Sequence, residues 1–162
     1  MGHRYFFSCG LMLLPAMAWN AVLAGHLPPA FQPAEFDRAL PPELVLTENV
    51  LRVFALGLPF FMPLGASTKV QRLGLGLFVV GTLVYFASWL PLVLAPESAW
   101  STSALGFLAP AYTPALWLAG LGLTGRELFI GKAYRPWMYF ALSAAFVAAH
   151  VTHAAIIYAR NH

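Results

Sequence analysis

Five stretches of about twenty mainly apolar residues run along the chain, at roughly 5–24, 44–65, 73–95, 103–123 and 136–158. The hydrocarbon core of a bilayer is about 30 Å thick, and an α-helix rises 1.5 Å per residue, so about twenty residues cross it. The pattern therefore predicts an all-α fold: a polytopic transmembrane helix bundle of about five spans, forming a single integral membrane domain over 1–162. Prolines fall inside the spans at Pro15, Pro59, Pro63, Pro91, Pro110 and Pro114. Each removes a backbone donor and predicts a kink, which membrane helices tolerate when neighbours satisfy the freed carbonyl. The pairs Pro59/Pro63 and Pro110/Pro114 share an i,i+4 spacing, but nothing around them matches further, so no internal duplication is read. Small residues cluster as Gly74, Gly76 and Gly81, as Gly120 and Gly122, and as Ala144, Ala145, Ala148 and Ala149. They predict close helix packing within the bundle, with a subunit interface as the alternative.

Composition supports the bilayer. Hydrophobic residues make up 60% of the chain and charged residues 9%, against about 25% charged in a soluble domain. Mean hydropathy is +0.71. The first stretch, with Met1-Gly2-His3-Arg4 before it and Val22-Leu23-Ala24 at its end, also has the outline of a signal peptide. We read it as a retained helix; cleavage would leave four spans and the same orientation for the rest.

The net charge of +3 does not point to nucleic acid, because the basic residues sit in short clusters between apolar runs with no basic stripe. They sort by side instead. Arg4, Lys69, Arg72, Arg126, Lys132 and Arg135 fall on one side of the predicted membrane, and Arg38, Arg52 and Arg160 on the other. The positive-inside rule gives N-inside, C-outside. Glu35, Asp37, Glu43, Glu48 and Glu97 then lie outside, and Glu127 inside. The Ala/Leu/Gly/Pro-rich composition and small size suggest a bacterial inner membrane.

The connection 25–43 is then external and holds Pro28, Pro29, Pro33, Pro41 and Pro42. Ala34 to Leu40 has room for one or two helical turns with Pro33 at the first position. Phe31, Phe36 and Leu40 are expected on the membrane surface. The segment reads either as a rigid extended loop or as a lid over an external cleft. Cys9, the single cysteine, has no internal disulfide partner and is expected to be buried and inert.

The spans carry their polar residues at one depth. Asn20, then Glu48, Asn49 and Arg52, then Ser88 and Trp89, then Tyr112 and Thr113, then His150, Thr152 and His153 fall mostly within about 10 Å outward of each helix centre. The inner half holds little beyond Thr82 and Ser143. Polar and ionisable groups at membrane depth are costly and point to function by default. The candidate ligand-binding residues are Asn20, Glu48, Asn49, Arg52, Trp89, Tyr112, His150 and His153. Glu48 and Arg52 are spaced for a same-face pair, with an interfacial ion pair as the plainer role. His150 and His153 share a face and compete between metal or haem ligation, proton handling and simple hydrogen bonding. Two histidines are half of a zinc site, and no other span offers a histidine for a bis-histidine haem, so no metal and no cofactor is predicted. Nucleotide loops, GxSxG, HExxH and CxxC are absent.

Leu27-Pro28-Pro29 to Phe36, Leu58-Pro59-Phe60-Phe61 and Ala109-Pro110-Ala111-Tyr112 resemble segments of the emopamil-binding-protein (EXPERA) family. That family consists of four- or five-helix membrane proteins with a cavity for sterols or cationic lipids, and some are sterol isomerases that use acidic groups there. The resemblance covers about a third of the chain in short pieces. The acid it implies shortly before Leu-Pro-Phe-Phe falls near Val53, and Glu48 lies more than a turn earlier, so no catalytic role carries over. Three functions follow from the residues: binding or transport of a small or lipid-like molecule in an outward-facing polar cavity, membrane-embedded catalysis on a lipid-soluble substrate, or an accessory role in a membrane complex. The expected partners are the lipid bilayer, such a ligand, and a second copy or a membrane-complex subunit.

Overall fold

The structure is a computed structural model that describes residues 8–36, 39–125, 127–129 and 134–161. Arg4, Asp37, Arg38, Arg126 and Lys132, which enter the orientation argument, lie outside the described residues, as do His3 and His162. Among the described residues the regular elements are helices, with an isolated bridge between Ser8 and Pro63. A 3-10 turn, Cys9–Leu13, leads into α1 (Leu14–Leu23). The next helices are α2 (Pro33–Phe36) and α3 (Pro42–Gly57), the latter extended by a 3-10 turn at Leu58–Phe61. Then follow α4 (Lys69–Leu94), α5 (Ala104–Phe107), α6 (Ala109–Tyr112), α7 (Pro114–Thr124) and α8 (Pro136–Asn161).

Three of these are long and apolar enough to cross a membrane: α3 with its extension, α4 and α8. The first apolar stretch is shorter, over Cys9–Leu23. The stretch expected as one helix over 103–123 is instead three pieces, α5, α6 and α7. Pro110 and Pro114 explain the breaks. Each lacks an N–H and crowds the carbonyl four residues back, so each opens a new helix in its first turn. Pro91, by contrast, sits inside α4 three residues before its end.

Packing between α4 and α7 depends on missing side chains. A Cβ at Gly120 would lie 2.4 Å from the Phe78 backbone nitrogen, and one at Gly81 would lie 2.5 Å from that of Trp117. At Gly74 it would meet the Gly120 carbonyl at 2.8 Å. Here the small residues bring backbones together, as glycine does in membrane helices. Gly76, on another face, has nothing within 4 Å. Gln71 ties the far ends of the two helices. Its side-chain oxygen accepts from Ser67 and Thr68 in a capping box, and its Nε2 donates to the Thr124 carbonyl at 3.1 Å. Across the bundle, the fully buried Tyr139 hydroxyl of α8 donates to the Ala55 carbonyl of α3 at 2.9 Å.

The segment after α1 is folded rather than extended. Pro29–Phe31 forms a 3-10 turn and Pro33–Phe36 one helical turn, α2. Phe31 is buried, in a cluster with Leu92, Phe107 and Ile157, and Leu40 is buried as well. The expectation of a membrane-surface position fails for both, Phe31 because its ring packs into this cluster. Gln32 Nε2 donates to Leu27 O at 2.8 Å, and Arg160 of α8 donates to Glu35 O at 2.7 Å, holding the segment down.

Candidate functional site

The site starts from spacing on two helices. Pro42 opens α3 and supplies a start that needs no N–H donor. One and a half turns on, Glu48 faces inward with 1% of its surface exposed, and Arg52 follows at i,i+4 on the same face. On α8, His150 and His153 share a face at i,i+3 and meet Glu48 across the bundle. Oε1 of Glu48 accepts from Arg52 Nη2 and lies 2.9 Å from His150 Nδ1, and Oε2 pairs with His153 Nδ1. One carboxylate thus answers a guanidinium and two imidazoles.

Hydrogen positions follow from the partners. With Glu48 as a carboxylate acceptor, the His150 Nδ1 contact has the imidazole as donor. His153 Nε2 lies 3.0 Å from the Phe36 carbonyl, which only accepts, so that nitrogen is also protonated. The Phe36 ring lies 4.4 Å from the His153 ring, and Phe146 stacks on His150 at 5.7 Å. In this way α2 is fastened over the cluster by a backbone carbonyl and an aromatic ring.

Beside the cluster lies a cavity of about 480 Å³. Its wall is mainly apolar, from Leu13, Ala16, Met17, Leu56, Phe60 and Phe146 among others. Asn20, Arg52, Tyr85, Trp89, Trp117 and His150 also line it. The Tyr85 hydroxyl donates to Asn20 Oδ1, joining α4 to α1. Trp117 is 5% exposed, and its indole N–H has no hydrogen-bond partner among the described residues. A smaller chamber of about 140 Å³ adjoins it under α2, between Phe31, Phe36 and Phe107. Trp89, Pro110 and His150 line both spaces.

Among the sequence candidates, Asn20, Arg52, Trp89 and His150 come together on the cavity wall, and Glu48 and His153 stand behind them. Asn49 is exposed and accepts from Arg52 Nη1 at 2.8 Å, so it orients the guanidinium. Tyr112 is not in the group: the breaks around α6 turn its hydroxyl to the Leu105 carbonyl, 3.2 Å away. Thr113 and Thr152 donate to carbonyls of their own turns. Sequence reasoning missed Tyr85, Trp117 and Phe36. Tyr85 lies one turn before Trp89 on the same face, a spacing that offers a signal. Phe36 acts through its carbonyl, which no side-chain pattern reveals. Among the described residues, no group of three or more side chains is arranged to hold a metal ion.

No family model matches the chain, and no curated protein or solved structure matches it either. The resemblance to the EXPERA family gains no support from these comparisons.

Proposed function

We propose that this is an integral membrane protein of about five spans, N-inside and C-outside in a bacterial inner membrane, that binds a lipid-like molecule in an outward-facing cavity. The observation that carries the reading is the cavity of about 480 Å³, apolar over most of its wall, with Asn20, Arg52, Tyr85 and His150 supplying its polar groups. Ligand sites fall at about 300–1,000 Å³ and combine an apolar lining with a few placed polar groups. The cluster behind the wall suits a supporting role. Glu48 fixes Arg52 and His150, and α2 covers the cluster from the external side in the proposed orientation.

Native mass spectrometry of protein released from mild detergent tests this. The expected result is a discrete mass of a lipid or amphiphile on the wild type, lost in Ala16→Phe, whose ring takes up cavity space. A wild type that carries no such mass and takes up no added amphiphile would refute the reading.

A second reading, a membrane enzyme, is favoured by one observation: His150 is held by a carboxylate at Nδ1 while its ring lines the cavity. That is the arrangement of an oriented general base, which must reach within about 3 Å of the proton it moves. Turnover unaffected by His150→Gln would remove it.

A further inference from the structure

The balance of hydrogen-bonding groups on the cavity wall says what kind of head group fits it, granted the binding reading above. We propose that the ligand is an amphiphilic carboxylate, with its acid group on Arg52 and its apolar chain along the cavity.

Arg52 has five N–H donors. Nη1 meets Asn49 and Nη2 meets Glu48, and the described residues supply no partner for the remainder. Glu48 does not serve Arg52 alone, since the same carboxylate is shared with His150 and His153. No acidic side chain is among the residues that line the cavity. The neutral groups lean the same way. Asn20 gives its amide oxygen to the Tyr85 hydroxyl, which leaves its amino group, and Trp117 holds a buried indole N–H with no partner among the described residues. The wall therefore offers an excess of donors around a guanidinium, and of these the buried Trp117 indole N–H is the costly one to leave without an acceptor. The matching head group is acceptor-rich and anionic. A carboxylate fits the planar guanidinium fork by paired hydrogen bonds, and its single charge matches one arginine. An ammonium head would face Arg52 as a like charge. The mainly apolar remainder of the wall suits an alkyl chain.

The test is titration calorimetry of the full chain in nanodiscs, with empty nanodiscs as the blank, at a pH well above the carboxylic range. Decanoate, decanol and decyltrimethylammonium share a chain and differ in head group. On the wild type, decanoate is expected to bind about tenfold or more tightly than decanol, as charged hydrogen bonds imply, with decyltrimethylammonium weakest. Arg52→Gln is expected to bring decanoate down to the affinity of decanol, and an unchanged circular dichroism spectrum shows that the variant is folded. Should Arg52→Gln lose decanol as well, Arg52→Lys decides: a restored preference for decanoate supports the proposal, and its absence overturns it. Decanol or the cation binding the wild type as tightly as decanoate would overturn the carboxylate assignment while leaving the cavity reading intact. If none of the three binds the wild type, the cavity reading falls, and this proposal with it.

Discussion

Replacing Glu48 with alanine removes the carboxylate through which α3 meets two histidines of α8, and the cost follows from burial. His153 is 2% exposed at its side chain, and its Nδ1 loses the oxygen it faces. Leaving such a buried group unmet costs about 1–3 kcal/mol. Arg52 and His150 are 40% and 23% exposed at their side chains, so solvent screening limits each of their losses to about 1 kcal/mol or less. The sum is about 3 kcal/mol, at the low end of the range for breaking a buried ion pair. Equilibrium unfolding in mixed micelles, followed by tryptophan fluorescence, reads it. A double-mutant cycle of Glu48→Ala with His153→Ala should give a coupling of about 1–3 kcal/mol. A loss below about 1 kcal/mol, or strict additivity within the cycle, would show that this cluster does not hold α3 to α8.

Two further outcomes follow from the packing and the proposed orientation. Gly120→Ala places a methyl against the Phe78 and Gly74 backbones and should destabilise by about 1–3 kcal/mol; Gly76→Ala, with open space around it, should be near neutral in the same unfolding assay, and equal effects would contradict the α4–α7 contact. In a Cys9→Ala background, an impermeant maleimide added to intact cells should label Glu97→Cys and spare Ala66→Cys, both exposed positions between the long helices. The reverse pattern would overturn the N-inside orientation.

The hydropathy pattern alone was enough to establish an all-helical chain with membrane-length segments, because apolar runs of about twenty residues have few other uses. It also placed Glu48, Arg52, His150 and His153 at one depth, since helical rise converts sequence position into height. It marked Gly74, Gly76, Gly81, Gly120 and Gly122 as packing residues; Gly74, Gly81 and Gly120 sit against backbone and Gly122 against the Phe140 ring, whereas Gly76 faces open space. Rotation about each helix axis and the path between helices are not written locally. Depth alone grouped Tyr112 with the site, but the proline breaks at Pro110 and Pro114 turned it toward Leu105. Phe31 and Leu40 read as surface residues until the segment folded back and buried them. The cavity, the unpartnered Trp117 and the Phe36 carbonyl on His153 belong to the tertiary structure, because they arise where separate helices meet. Sequence sets which groups are available at a given height, and helix packing decides which of them share a wall.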